Sequence, residues 1–430
     1  MKIPQLPTSR WFIYVSSSLL VFLCLSVLLA GLILFVQSSQ PRAGEVGGSS
    51  MEPALQGPRF LATCSVCQTV NQFSIDAWDP KRLASCLCCG SSILTDENVP
   101  IQRGETVRYR PTRWSSETAG KTAEGGFRRG DIVVLEREAG SLKELKRVVG
   151  LPNEKVALRG GDLWINDQRY AKNLRETLSQ GVLIAAWDPR FCEKILDEFI
   201  QSVPLPPTNE LPINAHDSHI LVPTLDFGIA LRCSQAIDRG RFDITLDDSE
   251  NRYDIRVIAS RDWTVACNGS PVPRLSSNPN NRSNSPQWLI LALIDGRVLV
   301  GDDLEACFAS SLESVPSRAK DESSMPRKAS ISISSVEDAP PADLALVFRD
   351  LVYRGYRDMP EETILPGPGY VVLGDNVSIS DDSRGPEGGA VRWGKEQIKG
   401  VVLRESNDLA SLLRQSEQWR RSGCGSNEFE

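Results

Sequence analysis

At 430 residues, with 41% hydrophobic and 24% charged content, the chain has room for two or three packed domains and is too apolar to be disordered throughout. A net charge of −7, with no long basic block, argues against nucleic acid as the main partner. The chain has two histidines, His216 and His219, both beside Asp217 in a proline-flanked stretch. A surface loop is the expectation there, with a ligand pair or a triad member as the other reading.

The first element is the run Trp11–Val36, which holds neither charge nor proline. At about 1.5 Å per residue it crosses a hydrocarbon core of about 30 Å with length to spare. It is too long for a cleaved signal peptide, whose apolar region is nearer 7–15 residues. Lys2, Arg10 and the amino terminus flank one side, whereas Arg42 and Glu45 nearly cancel on the other. The positive-inside bias therefore predicts a cytoplasmic N-terminus, with everything after Gln37 on the exoplasmic side.

Gly47-Gly48-Ser49-Ser50-Met51-Glu52-Pro53-Ala54-Leu55 follows, a backbone free to turn sharply until Pro53 fixes φ. Alone it reads as a tether; a hydroxyl on such a bend can also project into a cleft. Next come Cys64-Ser-Val-Cys67 and Cys86-Leu-Cys88-Cys89-Gly90, two C-x2-C turns at a spacing suited to a four-thiolate zinc ribbon. A pair of disulfides is the alternative in an oxidising location, and Cys88 is needed by neither scheme. Gln102–Gly126 is polar and is expected to be loop.

Short strands with turn signals then predict an antiparallel β domain. They are Arg129-Gly-Asp-Ile-Val-Val-Leu135, Leu145-Lys146-Arg147-Val148-Val149 ended by Gly150 and Pro152, and a hairpin through Asn166-Asp167. Alternation puts Lys146 on one face with Val148 and Arg147 on the other. A lysine on an apolar face loses solvation of its charged form and becomes a usable general base; a solvated strand lysine is the plain reading.

From about 173 to 345 the character changes. Phe242/Ile244/Leu246, Tyr253/Ile255/Val257 and Trp263/Val265/Cys267 alternate with polar residues, and Asp295-Gly296 lies between two apolar runs as a hairpin signal. A β-sandwich-like insert is expected, with Ser311–Asp343 as a mobile connection. After it, Tyr370-Val-Val-Leu373 reads as a buried strand. Gly374, Asp375 and Asn376 turn out of it into a loop crowded with Ser378, Ser380, Asp381, Asp382, Ser383 and Arg384, which suits a hydrogen-bonding scaffold. Leu409, Leu412 and Leu413 mark a short helical tail expected to be peripheral.

Taken in order, Ser50-Met51-Glu52-Pro53-Ala54-Leu55, Arg129-Gly130-Asp131, Lys146 through Pro152, and Gly374-Asp375-Asn376 through Asp382-Ser383-Arg384 resemble the bacterial type I signal peptidases, membrane-anchored Ser/Lys proteases of the S26 type. The resemblance covers roughly a quarter of the chain. It implies Ser50 as nucleophile, Lys146 as general base, and Ser380 orienting the lysine. It implies Asp382 and Arg384 as a supporting ion pair, Asp375 and Asn376 in the same structural loop, and an oxyanion held by the Ser50 N–H with the Gly48 turn. Val46, Met51, Leu55 and Leu145 match positions lining a shallow apolar cleft for Ala-X-Ala sites.

The resemblance further implies a mainly β fold, with an antiparallel catalytic core behind one transmembrane helix and no cofactor for catalysis. The expected organisation is a cytoplasmic N-terminus at 1–10, a transmembrane helix at 11–37, core segments at 38–58, 101–172 and 346–408, a zinc-ribbon-like insert at 59–100 with Cys64, Cys67, Cys86 and Cys89 as ligands, a β-sandwich-like insert at 173–345 with its linker at 311–343, and a peripheral tail at 409–430. Signal peptides of exported preproteins and the lipid bilayer are the implied partners, at the cytoplasmic membrane with the catalytic domain outside. Five positions depart from the family pattern: Gly48 where some members carry a serine, Ala54 for a threonine, Asn153-Glu154 for Gly-Asp, and Val377 for an arginine. The alternative of another class is an inactive membrane-tethered binding protein that uses the ribbon and the β insert; a self-cleaving repressor is disfavoured by the anchor.

Overall fold

The computed structural model describes residues 22–29, 40–68, 70–77, 84–86, 91–93, 100–112, 126–138, 140, 143–187, 226–233, 241–247, 252–257, 263–272, 288–295, 297–302, 305–311, 330–336, 342–356, 359, 361–377, 379–385, 391–403 and 409–421. Of the long apolar run, residues 22–29 are described; they are helical, and Phe22, Leu23, Leu25, Val27, Leu28 and Leu29 are all exposed. Among the described residues no helix is long and apolar enough to cross a membrane. The histidine stretch, Cys88, Cys89 and Ser378 lie outside the described residues.

The fold is mainly β. Its central sheet has six antiparallel strands in the order Arg42–Glu45, Thr106–Pro111, Ile398–Val402, Ile132–Glu136, Lys143–Gly150 and Val371–Leu373. Ile132–Glu136 is apolar at nearly every position because both of its faces are covered. Ile132 and Val134 pack with Val46, Met51 and Leu55, whereas Val133 and Leu135 pack with Val148, Val372 and Trp393. Thr106–Pro111 corrects the expectation of a loop. Val107 and Tyr109 alternate inward between exposed neighbours, a two-residue period too short to stand out in a polar stretch.

A four-stranded sheet, Gln168–Arg169, Asp162–Ile165, Val156–Arg159 and Glu361–Ile364, abuts the core. Its hairpin turns through Asn166 and Asp167 at φ 51° and 65°, left-handed values that Asn and Asp tolerate. In the ribbon region Arg59–Thr63 pairs with Val70–Ser74 and Ile101–Gln102, and Ala84–Ser85 pairs with Ser92–Ile93.

The insert forms two further antiparallel sheets. The larger has six strands: Val182–Trp187, Ala342–Arg349, Phe227–Cys233, Trp288–Ile294, Arg297–Asp302 and Glu305–Ser311. The smaller joins the three alternating segments in register, with Ile244 opposite Ile255 and Ile255 opposite Val265. Its fifth strand corrects the linker expectation for 311–343: Ser330–Val336 pairs with Arg241–Asp247, Ile333 opposite Ile244. The Ser-Ile-Ser-Ile alternation had been hidden by a composition that reads as low complexity. Ala342–Arg349 also runs across the expected insert boundary at 345.

The tail is not peripheral. Helix Ala410–Arg421 packs with helix Leu174–Gln180 on one face of the six-stranded sheet, where Leu409 and Leu412 are buried among Leu178, Ile290, Leu346 and Phe348. Ser411 Oγ donates to Pro53 O at 3.1 Å and Arg414 Nη2 to Ala54 O at 3.0 Å, so the same helix touches the Ser50 bend. An apolar stripe three residues long said nothing of its partner, a sheet whose strands are all distant in sequence. Leu412→Ala should lower unfolding stability by about 2–5 kcal/mol through the cavity it leaves, measured by denaturant unfolding of the detergent-solubilised chain; a loss below about 0.5 kcal/mol, ordinary for a surface site, would contradict this packing.

Candidate active site

Three segments distant in sequence meet beside the central sheet: the bend around Ser50, strand Lys143–Gly150, and the loop after Val371–Leu373. Ser50 begins a turn, with four residues between it and the end of strand Arg42–Glu45. Glu52 N–H donates to Ser49 O at 3.1 Å and Leu55 N–H to Met51 O at 2.9 Å, which closes the turn, and the Glu52–Pro53 bond is cis. The Ser50 carbonyl accepts from the Asn376 N–H at 3.0 Å.

Gly374 lies where nothing larger fits. A Cβ there would fall 2.4 Å from Ser50 O and 2.1 Å from Ser380 Oγ, so the glycine is what lets these two serines approach the same backbone. Lys146 comes to this place from its strand, opposite Val133, with its side chain 3% exposed. Its Nζ donates to Ser380 Oγ at 3.1 Å and lies 3.8 Å from Glu144 Oε2. Among the described residues no hydrogen bond joins Lys146 Nζ to Ser50 Oγ. Burial pushes the Lys146 ammonium below its ordinary value of 10.5, against the carboxylates of Asp382, Glu144 and Asp381, which favour the charged form.

Arg147 points to a different partner. Its guanidinium pairs with Asp375 through two bonds of 2.8 and 2.5 Å and donates to Gly130 O at 3.0 Å, with both side chains almost fully buried. Asp382 and Arg384 form a second bidentate pair at 2.8 and 2.8 Å. Asp382 also accepts from the Gly374 N–H at 3.0 Å, and Arg384 donates to Ser380 O at 3.1 Å. The pair therefore holds both ends of the loop that presents Ser380. Val46, Met51, Leu55 and the partly buried Leu145 share one apolar cluster with Val107, Tyr109, Ile132, Val134 and Val402.

Two departures from the family pattern have structural accounts. Asn153 sits at φ 67°, a left-handed value that asparagine adopts in place of glycine. Glu154 reaches Arg129 with both oxygens at 2.9 Å and accepts from the Leu151 N–H. Val377 is buried in an apolar cluster with Val149, Val371 and Leu373. Nothing in the structure explains Ala54.

Two site neighbours escaped the sequence reading. Glu144 shares a strand face with Lys146 by the two-residue period, so its presence was available from spacing. Asp76 was not: its Oδ2 accepts from both the N–H and the Oγ of Ser49 at 2.7 Å and would lie 3.2 Å from a Cβ at Gly48. In the cysteine segment, the sulfurs of Cys64, Cys67 and Cys86 lie within 4.8 Å of one another.

An antiparallel β core here gathers a serine bend, a buried lysine and a second serine in one place. The family model described as signal peptidase, peptidase S26, matches residues 17–183, and over that segment the chain is similar to this family. Signal peptidase I P of Bacillus subtilis subsp. natto is 35% identical over 74 residues, 16% of this chain and 39% of that relative. Signal peptidase I U of Bacillus subtilis (strain 168) is 32% identical over 60 residues, 13% of this chain and 32% of that relative. The chain thus spans well under half the length of these curated relatives.

Removing one member of the Arg147–Asp375 pair leaves a buried charge alone. Asp375→Asn should therefore cost about 3–5 kcal/mol of stability, and a double change of Arg147→Met with Asp375→Leu should recover much of it. Denaturant melts of the three proteins decide this; equal stability of Asp375→Asn and the unmodified chain would contradict it.

Proposed function

We propose that this chain is a membrane-anchored serine endopeptidase that removes N-terminal signal peptides from exported preproteins after Ala-X-Ala-type sites. The observation that carries the reading is Lys146, a buried lysine bonded to Ser380 at 3.1 Å beside the Ser50 bend, inside a chain whose residues 17–183 match the signal peptidase family. Ser50 Oγ attacks the carbonyl at the cleavage site, and Lys146 Nζ takes its proton and returns it to the leaving amine. Water, activated by the same lysine, then hydrolyses the ester and frees Ser50. Catalytic hydrogen bonds commonly tighten only with substrate in place, so the Ser50–Lys146 contact belongs to the complex.

The oxyanion is held by the Ser50 N–H and the turn at Gly48, where backbone alone can help. Ser380 orients the lysine, and Asp375, Asn376, Asp382 and Arg384 hold the loop around it. Val46, Met51, Leu55 and Leu145 supply the apolar wall against which small side chains at the first and third positions before the cut are selected, since larger ones would overpack it. No cofactor takes part in the chemistry. Residues 11–37 anchor the chain in the cytoplasmic membrane with the N-terminus inside and the catalytic domain outside, a reading supported by the exposed apolar side chains of residues 22–29. Cys64, Cys67, Cys86 and Cys89 hold a structural zinc.

Detergent-solubilised protein should cleave a preprotein with an Ala-X-Ala site at the expected bond, and Ser50→Ala or Lys146→Met should each lower kcat by at least about 10³-fold. Cleavage by Ser50→Ala at the unmodified rate would overturn the reading. The base acts unprotonated, so kcat should be low at acid pH and rise through a Lys146 pKa below 10.5. Because Glu144 favours the ammonium, Glu144→Gln should shift that acid limb to lower pH; a shift upward, or none, would contradict the assignment of the limb to Lys146.

A further inference from the structure

The Ser50 bend is gripped by residues of the cysteine module. Ser49 is fully buried, and both its N–H and its Oγ donate to one carboxylate oxygen of Asp76. On the other side of the bend Glu52 pairs with Arg59 at 2.9 Å and accepts from the Gly57 N–H at 3.3 Å. Gly57 itself has no room for a side chain, since a Cβ would lie 2.3 Å from Gly48 O. Arg59 opens the first ribbon strand, and Asp76 sits on the short 3-10 turn Ile75–Ala77 that directly follows the second.

That second strand, Val70–Ser74, is also the strand against the sulfurs. Phe73 is buried with Cys64, Cys86, Ala62, Ala84 and Ile93, and Asn71 Nδ2 donates to Cys86 Sγ at 3.5 Å. Cys67 Sγ and Cys86 Sγ are 3.5 Å apart, well beyond a disulfide's roughly 2.05 Å. Thiolates about 2.3 Å from a tetrahedral zinc sit roughly 3.8 Å from one another, close to what is observed. Among the described residues the module buries six side chains together, two of them cysteines, so that metal binding there would add directly to its folding free energy.

We propose that zinc held by Cys64, Cys67 and Cys86 with a fourth ligand controls the nucleophile, and that Asp76 is the positioning residue that carries the control. The loaded ribbon fixes strand Val70–Ser74, the strand fixes Asp76, and Asp76 holds Ser49, whose peptide link sets the Ser50 N–H and hydroxyl. The inference rests on the reading of Ser50 as nucleophile, but the coupling has a readout of its own.

The test uses the full chain in detergent, with zinc and a zinc chelator as the probes and hydrogen exchange over residues 47–52 as the primary signal. The loaded protein should carry about one zinc per chain. Chelation should release it, speed exchange over 47–52 and lower kcat by about tenfold or more with little change in KM, and added zinc should reverse all three. Two bonds to a charged acceptor are lost in Asp76→Ala, so its exchange should already be raised by about tenfold or more. In that variant zinc should still leave on chelation, yet exchange over 47–52 and kcat should no longer respond. Asp76→Asn, which keeps an acceptor oxygen, and Ser49→Ala, which loses only the hydroxyl bond, should fall between. Zinc release without any change at 47–52, an unaltered Asp76→Ala, or a chain that takes up no zinc would each overturn the proposal. A zinc-loaded chain that cuts no preprotein but keeps the exchange response would overturn the proposed activity and leave the coupling standing.

Discussion

The Arg147–Asp375 ion pair is the joint around which the site is assembled. Both side chains are almost fully buried, and the pair ties strand Lys143–Gly150 to the strand that ends at Leu373. Its two residues are flanked by every group that matters nearby. Lys146 precedes Arg147, while Gly374 and Asn376 stand on either side of Asp375, one against both serines and the other bonded to the Ser50 carbonyl. A buried pair is poor evidence of net stability, because desolvation offsets most of the attraction. Its directional bonds nevertheless fix the register of these two strands, and register decides whether Lys146 meets Ser380.

Around that joint Lys146 is buried beside carboxylates that are themselves paired with other groups. Desolvation weakens the ammonium, and the nearest anions are themselves engaged. Asp382 is held by Arg384 and the Gly374 N–H, and Glu144 and Asp381 by Arg137. The lysine is left with a neutral hydroxyl as its direct hydrogen-bond partner. Such an arrangement loosens the lysine's hold on its proton while its surroundings stay electrostatically balanced.

The additional modules are tied into this core at several points. Asp76 and Arg59 reach the Ser50 bend from the cysteine module, and the C-terminal helix reaches it through Ser411 and Arg414 while packing on the insert's six-stranded sheet. Lys172 adds another tie, with its N–H donating to Asp295 and its Nζ to Asp350 in a buried network across the seam between core and insert. The bend that carries Ser50 is therefore held by elements that begin and end far outside the core.

Local chemistry was legible in the residues themselves. The two-residue period identified strands that pair with one another, Asn166-Asp167 and Asp295 occupy the left-handed turn positions their types suit, and the ordered motifs brought Lys146, Ser380, Asp382 and Arg384 under consideration together. What stayed hidden depends on partners distant in sequence. A serine-rich strand at Ser330–Val336, a buried tail helix and the Asp76 carboxylate on Ser49 have no local signature, because each is defined by what it meets. By itself the sequence determined which side chains were candidates for acyl transfer and marked the strands whose apolar alternation stands out, since propensity, periodicity and residue chemistry are local properties. Only the tertiary structure decided that Arg147 rather than another cation would take Asp375, that Gly374 would let two serines share one space, and that the cysteine module would grip the Ser50 bend, since burial and close approach exist only once the chain has folded.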